Sequence, residues 1–168
     1  MRINRIAVVG AAAATMIASG AGLALAGTST SQRSAASGTE HFSLMSTQPS
    51  ASKYVVIASG LFTAGGTDTS GNTVDSMKLT GGTLKINHNF PTHVVKEQFN
   101  QKTCLETFVA TSKFTVEDGT GTYKGISGSG SARISGLAIA RRTAGKCNMN
   151  ANPTVSEQTI VATAHVHL

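Results

Sequence analysis

The sequence predicts an all-β fold, a single antiparallel β-barrel of about eight strands behind an export signal. Short runs of alternating or β-branched apolar residues recur along the chain, and Gly-rich turns separate them. No segment after residue 26 sustains the apolar period of a helix over about three turns. Several predicted strands are apolar on one face only, which is typical of antiparallel sheets. A β-sandwich is the alternative, and a barrel is favoured because closure removes unpaired strand edges.

The composition limits the class of protein. The 168 residues amount to about one domain, and a charged fraction of 13% excludes a charge-rich coiled coil. The net charge of +6 falls by two, to +4, once Arg2 and Arg5 are removed with a signal peptide. This mild charge, with Arg141-Arg142 as the only adjacent basic pair, predicts no nucleic-acid binding.

Residues 1–26 are predicted to be a secretory signal peptide. Arg2 and Arg5 give a basic start, an Ala- and Val-rich apolar run follows, and Ala-Leu-Ala at 24–26 is a small-x-small cleavage site. The apolar run is shorter than the roughly 20 residues that a membrane span needs. We therefore expect cleavage between Ala26 and Gly27, no stable membrane insertion afterwards, and a secreted, extracellular protein.

After the signal, residues 27–40 are predicted to be a flexible leader and residues 41–168 to form the barrel domain. The leader is rich in Ser, Thr, Gly and Ala and has no large apolar residue to anchor it. The predicted strands are 41–45, 54–62, 76–79, 83–90, 92–99, 104–113 with 114–117 as a continuation, 122–126, 131–140 and 155–168. Residues 65–72 are predicted as a turn region and residues 143–153 as a loop.

Cys104 and Cys147 are the only cysteines, and we predict that they form one disulfide. An even cysteine count in an exported chain indicates pairing, and an intramolecular bond can then have only one connectivity. The alternative is a catalytic cysteine, which would need a free thiolate that a paired residue cannot supply. The disulfide would tie the 143–153 loop to the start of a strand.

The sequence contains no recognised motif for catalysis or for a cofactor. The spacing of Gly119, Gly121 and Gly125 lacks the third glycine of the dinucleotide fingerprint, and no P-loop lysine follows. These glycines predict tight turns or a coiled sheet instead. There is no Gly-x-Ser-x-Gly elbow and no glycosidase-type pair of carboxylates. We therefore assign no catalytic residue and no cofactor.

His165 and His167 leave the same face of the last predicted strand, a spacing that can chelate a metal ion. A zinc site needs at least one further ligand, and nothing in the sequence brings one close. The favoured interpretation is an exposed pair near the end of the chain, so we assign no metal ligand. Side chains of the right type elsewhere are His88, His93, Glu97 and Glu106.

Two titratable residues lie on predicted apolar faces. His88 shares its face with Leu84 and Ile86, so it is either a lumenal base or hydrogen-bond anchor, or a buried histidine satisfied by a neighbour. Glu97 is placed on one face with Val95, where a buried carboxylate would have a raised pKa and would indicate function.

A resemblance covers most of the chain after the signal. The run Asp-Gly-Thr-Gly-Thr-Tyr-Lys-Gly-Ile-Ser-Gly-Ser-Gly at 118–130, the stretch 54–66, and the contexts of Cys104 and Cys147 resemble small secreted actinobacterial proteins of no assigned activity. The Gly-rich run also resembles an element in barrels of the allene oxide cyclase and dirigent type. This implies an eight-stranded antiparallel barrel with an apolar lumen, and no catalytic position of the cyclases maps onto this chain.

The functional expectation is a secreted, non-enzymatic β-barrel that binds a small apolar ligand in its lumen, because small barrels either fill with side chains or hold one ligand. One alternative, implied by the resemblance, is a cyclase or isomerase similar to allene oxide cyclase. Its sign would be a buried carboxylate or histidine facing an apolar cavity. The other is a cell-surface or matrix interaction protein, whose sign would be an exposed apolar patch of more than a few hundred Å². The identity of the ligand-binding residues and the oligomeric state stay open.

Overall fold

The computed structural model describes residues 36–47 and 52–168. The predicted signal peptide, the cleavage site at Ala26 and Gly27, and the leader up to residue 35 lie outside the described residues. Among the described residues, no helix is long and apolar enough to cross a membrane.

The described chain is built almost entirely from β-strands. A single 3-10 turn of helix, Gly121–Tyr123, interrupts them within the described ranges. The strands are β1 (Ser37–Ser46), β2 (Lys53–Gly60), β3 (Thr63–Thr69), β4 (Val74–Leu79), β5 (Gly82–Asn87), β6 (His93–Asn100), β7 (Leu105–Gly119), β8 (Ser127–Ile139), β9 (Arg141–Thr143), β10 (Lys146–Asn148) and β11 (Val155–His167).

Eight of these strands close into an antiparallel barrel, which confirms the predicted fold class. Neighbours pair in the order β5-β4-β3-β2-β1-β11-β8-β7, and the end of β7 pairs with β5 to complete the ring. The first half of β7 pairs instead with β6, which lies outside the ring as an additional strand. Strands β9 and β10 form a separate two-stranded hairpin.

Strict alternation of the side chains defines the lumen. In β1, Phe42 and Leu44 are buried while the residues between them are exposed. In β11, the predicted apolar face is confirmed, since Ala162, Ala164 and Val166 are buried and their neighbours along the strand are exposed. Successive side chains of a strand point to opposite faces, so the buried set faces the lumen and the exposed set faces solvent.

Aromatic side chains fill one end of the barrel. Phe62 lies between Tyr123 and Phe42, with ring centroids 4.9 Å and 6.4 Å away. The Tyr123 hydroxyl donates a hydrogen bond of 2.7 Å to the carbonyl of Thr80, which fixes the ring over this end. Ile126 is fully buried beside them. We call this the closed end of the barrel.

Backbone pairing extends the fold beyond two of the predicted boundaries. Strand β1 begins at Ser37 rather than near residue 41, because pairing with β11 starts at Ser37 opposite His167. The predicted turn region 65–72 is mostly strand β3, in which Gly66 pairs with Val56. A Cβ atom at Gly66 would lie 1.9 Å from the carbonyl oxygen of Lys78, so glycine here allows close strand approach rather than a turn.

Other predicted segments also differ from the structure. The predicted strand 122–126 is instead a tight turn around the 3-10 helix, where Gly121 has a φ of +63° that glycine adopts readily. The predicted loop 143–153 includes the β9–β10 hairpin, whose turn places Ala144 and Gly145 at positive φ. Ser127–Gly130, predicted as a link, is the start of β8.

Gly130 in β8 lets the backbone of β11 and the ring of Phe114 approach closely. A Cβ atom there would lie 2.3 Å from the carbonyl oxygen of Thr163 and 2.7 Å from the ring of Phe114. The Phe114 ring therefore occupies the space above this glycine.

We expect Gly130→Ala to lower the free energy of unfolding by about 1–3 kcal/mol, because the added methyl group overpacks this contact. Ser129→Ala is the matched control, since Ser129 is the neighbouring residue and is exposed. Urea unfolding followed by circular dichroism measures both, and equal stability of the two variants would contradict this view of the glycine.

The structure places the predicted disulfide between Cys104 and Cys147, with an S–S distance of 2.05 Å and a Cα–Cα distance of 5.4 Å. Cys104 is buried at the start of β7, and its carbonyl accepts a hydrogen bond of 2.9 Å from the Ala140 amide. Cys147 lies in β10. The bond therefore fastens the β9–β10 hairpin to the turn between β6 and β7.

Thiol titration of the denatured, unreduced protein should find no free thiol. We expect the Cys104→Ala/Cys147→Ala double variant to lose about 2–4 kcal/mol of stability, since the cross-link restricts the unfolded chain. Reductant should destabilise the native sequence and leave the double variant unchanged. A disulfide-linked dimer on a non-reducing gel would show that the cysteines pair between chains instead.

Candidate functional site

The end of the barrel opposite the aromatic residues opens into a cavity of about 200 Å³. We call this the open end. Phe42, whose ring also contacts the closed end, forms part of the cavity wall. Most of the remaining wall is aliphatic or aromatic and comes from strands on all sides of the ring. These residues are Leu44, Met77, Ile86, Phe114, Ala132, Ile134, Ile160 and Ala162.

Polar side chains from several strands also line this cavity. The Tyr54 hydroxyl donates a hydrogen bond of 2.7 Å to Oε1 of Gln158, and both residues line the cavity. The bond spans from β2 to β11 across β1, which lies between them. Burial, together with the charges of Asp75 and Asp68, raises the pKa of Tyr54 to about 12, so Tyr54 is a neutral phenol.

His88 and Asp75 form a hydrogen-bonded pair at the cavity wall. The distance between His88 Nε2 and Asp75 Oδ1 is 2.9 Å, and the Gly71 amide donates to the same oxygen, also at 2.9 Å. The backbone amide of His88 donates to the Thr73 carbonyl, which fixes the residue just beyond β5. His88 thus combines the two predicted possibilities: it lines the cavity, and a neighbour satisfies it.

Asp68 lies next to these polar side chains and is more deeply buried than they are, with 1% of its surface exposed. It faces inward from β3, directly between Tyr54 of β2 and Met77 of β4, both of which line the cavity. Neither of its carboxyl oxygens has a hydrogen-bond partner among the described residues. A buried polar group without a partner costs roughly 1–3 kcal/mol, so this position is unfavourable for the protein alone.

The surroundings of Asp68 strongly favour its protonated form. Burial, and after it the charge of the nearby Asp75 carboxylate, raise the pKa of Asp68 to about 7. His88 and the Thr69 amide oppose this rise, although the amide does not reach hydrogen-bonding geometry with either oxygen. Two carboxyl groups in different environments therefore share this site: Asp75 accepts two hydrogen bonds and Asp68 titrates near neutral pH. Such pairs occur often at functional sites.

A second buried carboxyl group, Glu40, belongs to the closed end. Its Oε2 accepts a hydrogen bond of 3.1 Å from the Phe62 amide, which ties β1 to the turn between β2 and β3. Burial raises the pKa of Glu40, and the amides of Phe62 and Leu61 and the charge of His41 partly offset the rise. Glu40 does not line the cavity, so we interpret it as a structural group.

The other residues that the sequence singled out lie away from the open end. Glu97, whose burial the sequence does not decide, is exposed, as is all of β6, including His93. Glu106 is half-buried in β7 and does not line the cavity. His165 and His167 are exposed with ring centroids 5.0 Å apart, and no described residues form a group of three potential metal ligands.

Sequence reasoning missed Asp68, Asp75, Tyr54 and Gln158 as site residues. The available signal was the register: Tyr54 and Asp68 lie at equal distances from the β2–β3 turn and become cross-strand neighbours. This signal was hidden because Gly65 and Gly66 led to the prediction of a turn where β3 lies.

Exposed apolar side chains occur on the outer surface, as an interaction protein would require. On the outside of the barrel, Met45 lies opposite Val55, and Ser43 lies between Ile57 and Val161. More than half of the surface of each apolar member of this group is exposed. A second group lies on β6 and consists of Val94, Val95 and Phe99.

The raised pKa of Asp68 predicts a pH-dependent stability. Its pKa is about 7 in the fold and near 3.8 in the unfolded chain, so between these values only the folded state holds the proton. The free energy of unfolding therefore falls as the pH rises from about 4 to about 7.

We expect Asp68→Asn to gain stability relative to the native sequence across this range, on the order of 3 kcal/mol between pH 4 and pH 8. Asp118→Asn is the control, because Asp118 is exposed and paired with Lys85 at 3.6 Å. Urea unfolding at several pH values measures the difference, and a difference that does not vary with pH would contradict the raised pKa.

Searches of family models, of curated proteins and of solved structures found no match to this chain. The resemblance to small secreted actinobacterial proteins and to allene oxide cyclase or dirigent barrels therefore stays a prediction from the sequence. The function is argued below from the open end of the barrel itself.

Proposed function

We propose that this protein is a secreted binding protein that holds a small, mainly apolar molecule in the open end of its barrel, with one polar end of the molecule against the Tyr54–Asp68–Asp75–His88 cluster. The observation that supports this most directly is the composition of the cavity, which combines apolar side chains from most strands of the ring with hydrogen-bonded polar side chains, among them Tyr54, Asp75 and His88. Ligand sites typically combine an apolar wall with a few convergent polar groups that fix the orientation of the ligand.

The barrel supplies the affinity through its walls. Burial of apolar surface contributes roughly 25 cal/mol per Å², so a short alkyl chain or a single ring gains a few kcal/mol in such a cavity. The aromatic residues at the closed end limit the depth of the site, which restricts the ligand to a small molecule.

The disulfide supports the extracellular part of the proposal. Structural disulfides form and persist in oxidising compartments, and Cys104–Cys147 fastens a surface hairpin that has little apolar area of its own. The predicted signal peptide at 1–26 provides the route of export.

Hexanol, a neutral molecule with one polar end, tests the binding function. In amide NMR spectra of isotope-labelled protein, we expect hexanol to shift the signals of cavity residues in a saturable manner. Ala132→Leu should abolish this binding, because Ala132 lines the cavity and the larger side chain fills it. Ser131→Leu is the matched control, since Ser131 is exposed on the same strand.

Shifts confined to the outer surface, or equal binding by both leucine variants, would contradict a lumenal site. If Ala132→Leu loses the native spectrum, Ala162→Val serves as the second variant, because it adds less volume at the residue that pairs with Ala132 on the neighbouring strand β11.

A cyclase or isomerase is the second candidate function. The observation that favours it is the His88–Asp75 pair in the cavity wall beside Asp68, a buried carboxyl group whose pKa is raised to about 7. Cyclohexanone in D₂O distinguishes an enzyme from a binding protein. An enzyme would accelerate exchange of the protons next to the carbonyl, and His88→Ala would remove the acceleration. Binding without acceleration would leave the protein as a binding module.

A further inference from the structure

We infer that the open end of the barrel selects an apolar amine, bound as its ammonium ion, over an alcohol or a carboxylate of the same shape. This inference rests on the proposed binding function and names the class of its ligand. The juxtaposition that supports it is Asp75, a carboxylate in the wall of a mainly apolar cavity, with the buried and unpartnered carboxyl group of Asp68 beside it, between the cavity-lining residues Tyr54 and Met77.

The placement of Asp68 requires a donor that the protein does not provide. Its two neighbours across the sheet, Tyr54 and Met77, line the cavity at the same level, and 1% of its surface is exposed. Tyr54 donates its only hydroxyl proton to Gln158, and His88 directs Nε2 at Asp75. The Tyr54 hydroxyl and the His88 ring nitrogen are therefore both already engaged with groups other than Asp68.

The charges around the cavity favour a cation. Asp68 faces inward from β3, Asp75 from β4, Tyr54 from β2 as a neutral phenol, and His88 follows β5. Lys113 of β7 also lines the cavity but is exposed to solvent, which screens its charge. Asp75 thus places a carboxylate in the cavity wall, and Asp68, once deprotonated, adds a second negative charge beside it.

An ammonium group matches the charge of this site. It carries three donors and a full positive charge, so it can bind Asp75 at the cavity wall, next to the charge of Asp68, while its alkyl chain lies along the apolar wall. A hydroxyl group offers one donor and no charge. A carboxylate would bring a third negative charge to the cluster, and like charges in a site of this kind oppose binding.

Ammonium binding also changes the protonation of the site. Below pH 7, Asp68 holds a proton in the free protein, and an incoming cation favours its release to solvent. Affinity for the amine should therefore increase as the pH rises, whereas affinity for the alcohol should not.

Hexylamine, hexanol and hexanoate form a matched series for the test, titrated into the full-length secreted protein and followed by amide NMR. At pH 8 we expect hexylamine to bind at least tenfold more tightly than hexanol, and hexanoate to bind more weakly than either. At pH 5 the advantage of the amine should shrink several-fold. Asp68→Asn should remove most of the preference while keeping hexanol binding, and Asp118→Asn should keep the preference intact.

The outcomes separate this inference from the proposed function. Hexanol or hexanoate binding as tightly as hexylamine would overturn the selection of amines and leave the binding function standing. Undiminished preference in Asp68→Asn would overturn the role of Asp68. Failure of all three compounds to bind in the lumen would overturn the binding function together with the inference.

Discussion

The structure depends on the divided pairing of strand β7. Over its first half, this 15-residue strand pairs with β6, and over its second half it pairs with β5 and closes the ring. Closure gives the barrel a lumen without free edges, so each inward side chain must either fill that lumen or line a cavity. Because the first half of β7 pairs with β6 rather than with β5, β6 lies outside the ring. This position explains why the apolar Val94 and Val95 are exposed.

Side-chain size and polarity then divide the lumen into two parts. At the closed end, Phe42, Phe62 and Tyr123 pack together and Glu40 ties the chain to a turn through the Phe62 amide. At the open end, the wall is mostly aliphatic and leaves a cavity beside Asp68 and Asp75. Functional sites often retain groups that are unfavourable for stability, and the unpartnered carboxyl of Asp68 is such a group.

Much of the fold followed from local patterns, whereas the site did not. The alternating apolar residues of β11 and the two cysteines led to correct predictions of an inward face and a disulfide. Strand β3 escaped prediction because its inward residues, Ala64, Gly66 and Asp68, form no apolar pattern, and two adjacent glycines resemble a turn. The site is assembled by register between strands distant in sequence, such as β2 and β11, and a single sequence contains no direct record of register.

The central claim is that Asp68 is a buried acid beside a ligand cavity, and carbon NMR of its side-chain carboxyl group tests this most directly. The account predicts a titration midpoint near pH 7 in the free protein, and a midpoint that moves to lower pH when hexylamine is added. A midpoint in the ordinary range of aspartic acid, unchanged by the amine, would contradict it.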